Sequence, residues 1–148
     1  MNQELILLPV IAMVLLTVIV AVCVLFTRIR TIVRRRIRPQ NIATRTGSAT
    51  LLKDVAAPSD NLMNLFEMPV LFYLLTVLLY TTGLADREYL VLASLYVVLR
   101  YAHSVIHVTY NRVMHRFAAF LVSCIVLWAM WGRFAWQLFM RWGLDACL

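Results

Sequence analysis

The sequence predicts an all-α membrane protein built as one bundle of four transmembrane helices. Three observations carry that expectation. Of the 148 residues, 63% are hydrophobic and the mean hydropathy is +0.82, whereas a soluble domain is apolar at about half its positions. The apolar residues gather into four runs, 5–26, 62–80, 89–108 and 117–140, each close to the ~20 residues a spanning helix needs. The net charge of +7 clusters in the connections beside those runs. It reads as an orientation signal and an attraction to anionic lipid, which argues against nucleic acid as a partner.

The first helix is expected over about 4–36. Its apolar run is too long for a signal-peptide core, is preceded by Glu4, and is followed by no small-residue cleavage site. Instead Arg28, Arg30, Arg34, Arg35, Arg36, Arg38, Arg45 and Lys53 follow it. Basic flanks stay in the cytoplasm, so the amino terminus is expected outside. Pro39 ends the helix, and about 37–60 read as a cytoplasmic loop. The second helix, about 61–82, contains Pro69, which should bend it or free a carbonyl that neighbouring helices can satisfy. The nearly neutral connector from Thr81 to Glu88 suits the outer side. The third helix covers about 87–110, and a short basic turn leads to the fourth at about 113–141. Trp128, Trp131, Trp136 and Trp142 crowd the far half of that helix as an interfacial belt, with Arg133 snorkelling outward. The expectation is a single membrane domain over 1–148, with both termini outside. Cys23, Cys124 and Cys147 are too scattered for a disulfide framework or a metal site.

Within the third helix, Tyr96, Arg100, His103, His107 and Tyr110 recur at spacings of four and three, which places them on one face. An arginine and two histidines at membrane depth are costly unless they face protein or a wet cavity. On the second helix Asp60, Asn64 and Glu67 stand at i, i+4 and i+7. Glu67 lies roughly 10 Å and Arg100 roughly 15 Å in from the same side, so the two are expected to pair, directly or through a ligand. Arg116 at the mouth, His107 and His103 below it, and Arg100 with Glu67 at the floor form a funnel of donors. That funnel suits a small anionic, zwitterionic or thiol-bearing ligand. Any one of these groups can serve as interhelical glue, but a set of intramembrane ionisable groups marks a functional site. Two histidines on one helix face cannot ligate one haem iron from opposite sides, and no metal is expected. His115 reads as interfacial.

Asn64-x-x-Glu67 opening the second helix, Arg100-x-Ala102-His103 on the third and Arg116 at the start of the fourth resemble the MAPEG family, the membrane-associated proteins in eicosanoid and glutathione metabolism. The resemblance covers roughly 51–140 in its motifs and the whole chain in its layout. It implies a homotrimer with glutathione, as co-substrate, bound between subunits near the cytoplasmic side; the expected location is a bacterial inner membrane. Asn64, Glu67, Arg100 and His103 would hold the tripeptide, and Arg116 would act catalytically on its thiolate; His107, on the same face of the third helix, is a further expected binding residue. The chain departs from the family pattern in having no arginine in Ala56-Ala57-Pro58-Ser59-Asp60-Asn61 and in carrying His107 where a tyrosine is common. Arg34, Arg35, Arg36 or Arg45 can stand in for the missing cations.

The expected function is a glutathione-dependent transferase or peroxidase acting on small lipophilic electrophiles or hydroperoxides. The alternatives are a non-enzymatic structural or binding protein of the same fold, and a small ion or proton conductor using Glu67, His103 and His107. The topology is directly testable. Ser48→Cys should react with an impermeant thiol reagent only from the cytoplasmic face; labelling from the outer face alone would refute the orientation.

Overall fold

The computed structural model describes residues 2–145, and among these every regular element is helical. A 3₁₀ turn, Gln3–Ile6, leads into α1, Leu7–Arg35, and two more, Pro39–Ile42 and Lys53–Val55, lie in the connection that follows. Next come α2, Arg45–Leu51, α3, Ala56–Leu65, and α4, Met68–Thr81. The last two are α5, Arg87–Val108, and α6, Val113–Asp145. Four stretches are long and apolar enough to cross a membrane: Gln3–Arg35, Ala56–Thr81, Arg87–Val108 and Val113–Arg141. The protein is an integral multi-pass membrane protein with an up-down-up-down bundle.

Local chemistry explains where the helices stop. Arg36 takes a left-handed φ of 50°, and the Ile37 N–H returns to the Ile32 carbonyl at 3.1 Å. This closes α1 at Arg35, four residues before Pro39. The stretch read as a loop is partly helical: α2 lies within it, and α3 begins at Ala56, five residues before the expected start. Two alanines favour the helix there, and Pro58 sits in the first turn, where no N–H is needed. α5 stops at Val108, so Tyr110 lies in the following turn and is exposed. The buried stripe therefore ends at His107.

The second span does more than bend. It breaks at Phe66 and Glu67, and Pro69 stands in the first turn of α4. The proline ring would collide with the carbonyl of Leu65 in a continuous helix and has no N–H to offer it. The backbone at Glu67 leaves helical geometry, with ψ −91°. As a result Asp60, Asn64 and Glu67 do not share one continuous face.

The core runs the length of the bundle. Met13 and Leu16 of α1, Phe72, Leu75 and Leu79 of α4, Tyr89, Ala93 and Tyr96 of α5, and Leu127 and Met130 of α6 are buried together. Phe72 and Tyr96 stack at 4.7 Å. The opposite faces are apolar and open. Ile11 and Phe26 are each 63% exposed, a burial pattern that fits hydrocarbon as solvent. Trp128 and Trp136 are exposed, whereas Trp131 packs against the core beside Phe134. The Trp142 side chain and Cys147 lie outside the described residues.

The end of the bundle that carries the α4–α5 turn is clamped by polar contacts. Gln3 makes two hydrogen bonds with the Ala85 backbone: Nε2 donates to the carbonyl at 2.9 Å, and Oε1 accepts the N–H at 3.1 Å. Asp86 caps α5 by accepting the Tyr89 N–H at 3.0 Å. Arg133 of α6 donates to both Asp86 oxygens at 2.9 and 2.6 Å, approaches Glu88 at 2.9 Å, and lies 4.3 Å from the Tyr89 ring centroid. Arg133 thus holds α5 to α6, where snorkelling was expected.

The hydrogen bonds from Arg133 hold the Asp86 carboxyl below its ordinary value of 3.8. A depressed carboxylate contributes stability above its unfolded-state value and loses it as pH falls through the lower folded one. Since the Asp86 side chain is 43% exposed, solvent screening limits that contribution to about 0.5–1 kcal/mol. Asp86→Asn keeps an N-cap but removes the charge. Thermal melts in detergent between pH 7 and pH 3 should show a small loss at neutral pH and a flatter fall below about pH 4. A wild-type acid limb in the variant would contradict the assignment.

Candidate functional site

The polar groups of α5 collect at the other end, facing α3 and the start of α6. Arg100 is fully buried, and His103 and His107 are 2% and 1% exposed. The break at Pro69 supplies the first contact. In an unbroken helix the Asn64 carbonyl would accept the N–H of Met68; here it accepts Arg100 Nη2 at 2.7 Å. Arg100 also lies 5.6 Å from the Phe120 ring centroid. Its Nε and Nη1 groups have no hydrogen-bond partner, and neither does the hydroxyl of Tyr96 one turn away. A direct Glu67–Arg100 ion pair is absent among the described residues. Glu67 sits in the break and is exposed, because the same distortion that frees the Asn64 carbonyl turns the following residues away.

His103 and Arg116 are joined through the backbone. A carbonyl can only accept, so His103 Nδ1 carries a proton and donates to the Arg116 carbonyl at 3.0 Å. In the neutral ring Nε2 then bears the lone pair, and it has no protein partner. His107 has the same tautomer for the opposite reason. A guanidinium can only donate, so His107 Nε2 accepts Arg116 Nη1 at 3.1 Å and Nδ1 carries the proton. Arg116 Nη1 also donates to Asn111 Oδ1 at 3.0 Å. Asn111 adopts a left-handed φ of 45°, which asparagine tolerates, in the turn between α5 and α6. One edge of the Arg116 fork is therefore fixed, and Nε and Nη2 remain available.

A cavity of about 200 Å³ opens between these elements, lined by Asn64, His103, Val113, Arg116, Phe117 and Phe120. Three of the six expected site residues, Asn64, His103 and Arg116, reach it. Arg100 stands behind its Asn64 and Phe120 walls, His107 supports Arg116, and Glu67 lies apart on the surface. The family model of the MAPEG family matches residues 6–136 of this chain. The chain belongs to the MAPEG family. No curated protein and no solved structure matches it.

Sequence reasoning missed several residues of this candidate site. Asn111 sets the Arg116 fork, and its only advance signal was an asparagine in a short turn. Phe120 forms the wall shared by Arg100 and His103, whose ring it approaches at 5.9 Å. Asn61 is fully buried and its Oδ1 accepts the Ser104 hydroxyl at 3.3 Å, tying α3 to α5. Tyr110 leaves the stripe and meets His115 at 3.3 Å instead.

The His107–Arg116 contact should appear as energetic coupling. His107→Phe and Arg116→Leu, singly and together, should give a double-mutant interaction of about 0.5–1.5 kcal/mol in thermal or denaturant unfolding. Strict additivity would show that the contact contributes nothing.

Proposed function

We propose that this protein is a glutathione-dependent transferase or peroxidase that presents a thiolate to lipophilic electrophiles or hydroperoxides arriving from the bilayer. The observation that carries the reading is the donor-rich cavity of Asn64, His103 and Arg116, backed by a buried Arg100 with two unpartnered nitrogens. Buried cations without acceptors are unfavourable by several kcal/mol. An anionic ligand relieves that cost. MAPEG membership supports glutathione as that ligand. At about 200 Å³ the cavity is smaller than the ~300–1,000 Å³ of ordinary ligand sites. The reading therefore includes a homotrimer in which neighbouring subunits complete the site, with exposed Glu67 available to it.

In this scheme Asn64, Glu67, Arg100 and His103 bind the tripeptide and His107 positions Arg116. The unpartnered His103 Nε2 accepts a ligand N–H or S–H, and the free edge of Arg116 faces the sulfur. A cation beside a thiol favours the thiolate. The thiolate then attacks an electrophilic carbon: a C–S bond forms, and the displaced electron pair moves to the leaving group, which takes a proton from water. The exposed position of Glu67 and the lack of an arginine from Ala56 to Asn61 favour a second reading, a scaffold of the same fold that binds no glutathione.

Calorimetric titration of the detergent-purified protein with glutathione separates the two, since saturable binding supports the enzyme and its absence supports the scaffold. Arg116→Ala should then leave affinity nearly intact, raise the thiol pKa seen by thiolate absorbance, and cut conjugation with a generic electrophile by about ten- to a thousandfold. Arg116→Lys should restore only part of the rate, because an ammonium does not reproduce the planar fork. An unchanged thiolate titration in Arg116→Ala removes Arg116 from the chemistry.

A further inference from the structure

A second polar cleft lies away from the cavity just described. It is the larger of the two, about 490 Å³, and is lined by Thr27, Arg30, Thr31, Arg34 and Arg35 of α1 and by Val55. Directly along α1 is an apolar cleft of about 210 Å³, lined by Leu16, Ile19, Val20 and Cys23 of α1 and by Ser104, Val105, Val108 and Thr109 of α5. The two are continuous in register. Leu16, Val20, Cys23, Thr27, Arg30, Thr31 and Arg34 follow one another at steps of three and four, apart from the adjacent pair Arg30 and Thr31, and so form one stripe of the helix. Its first half is apolar over roughly 10 Å and its second half cationic over roughly 10 Å.

From the geometry we infer that this stripe binds a phospholipid with an anionic headgroup, its phosphate between Arg30 and Arg34 and one acyl chain in the apolar cleft. Two features specify the headgroup. The Thr27 and Thr31 hydroxyls already donate to the Cys23 and Thr27 carbonyls, both at 2.8 Å, so the donors left for a ligand are guanidinium N–H groups. Arg30 and Arg34 are exposed like charges one turn apart, with no ion pair to either among the described residues. Such a pair is unfavourable without a counter-ion, and phosphate oxygens match the guanidinium fork. Depth specifies the source. The first span runs Gln3–Arg35, and a ~30 Å hydrocarbon core takes up about twenty residues. This leaves Arg30 and Arg34 at the headgroup level, directly above an apolar slot. A free phosphate has no use for that slot; a diacyl lipid fills both.

Native mass spectrometry of the full chain in neutral detergent tests this, with phosphatidylglycerol, phosphatidylcholine and inorganic phosphate as probes. Phosphatidylglycerol should be retained at least about fivefold better than phosphatidylcholine, because basic residues near a membrane surface favour anionic lipid. Arg30→Gln with Arg34→Gln should abolish the preference while leaving the thermal melt unchanged. Val105→Trp fills the apolar cleft from an exposed position and should lower phosphatidylglycerol retention about tenfold without altering phosphate binding. Equal retention of the two lipids by wild type, or preference surviving the double glutamine variant, overturns the proposal. Efficient displacement by inorganic phosphate together with no effect of Val105→Trp assigns the arginines to a free anion and overturns it as well. Displacement by millimolar glutathione assigns them to the tripeptide and likewise overturns it; failure of glutathione to bind anywhere leaves the lipid result standing and counts only against the enzymatic reading.

Discussion

A guanidinium buried in a membrane bundle needs an acceptor, and Pro69 supplies one at a distance. By breaking the second span it releases the Asn64 carbonyl, which accepts Arg100 at 2.7 Å. Much of the functional end follows from that contact. It fixes α3 against α5, sets the depth of Arg100, and brings Asn64 beside His103 and Arg116. It also satisfies only part of the guanidinium. A fully paired arginine would be a structural rivet. An arginine with Nε and Nη1 unpartnered in a low-dielectric setting holds unspent attraction for an anion.

The two ends of the bundle divide stability from recognition. At the α4–α5 turn, polar groups meet polar groups: Gln3 with Ala85, Asp86 with Arg133, and Tyr89 donating to Gln137 at 2.8 Å. Little is left over there. At the other end, Tyr96, Arg100, His103 and His107 each keep an unpartnered polar atom. A tight clamp at one end can tolerate this, because α5 and α6 are aligned there by Asp86 and Arg133 without the remaining polar atoms of the site. The cationic cleft along α1 lies at the same end of the bundle, apart from the candidate site.

The four spans, the polar stripe and the family were legible in the residues, since each depends on local pattern: apolar run length, a period near 3.6, and short spacings such as Arg100-x-Ala102-His103. That Pro69 would bend the helix or free a carbonyl was legible too, because the steric cause lies within one turn. The break was not, and with it the fate of Glu67. Whether a proline bends or interrupts a helix depends on what its neighbours offer the freed groups, and here the offer comes from Arg100, thirty-six residues beyond Asn64.

Other partners were decided by tertiary structure alone. Arg133 could snorkel or cross to Asp86, and only the close approach of α5 and α6 selects the second. Asn111 reads as an ordinary turn residue until the turn's left-handed φ presents Oδ1 to Arg116. The tautomers of His103 and His107 follow from one carbonyl and one guanidinium that the sequence does not place. Composition and periodicity determine which side chains must leave the lipid, because that cost is paid by each residue separately. They do not determine which partner each one finds, because hydrogen bonds are set by distances of a few tenths of an ångström between elements far apart in the chain.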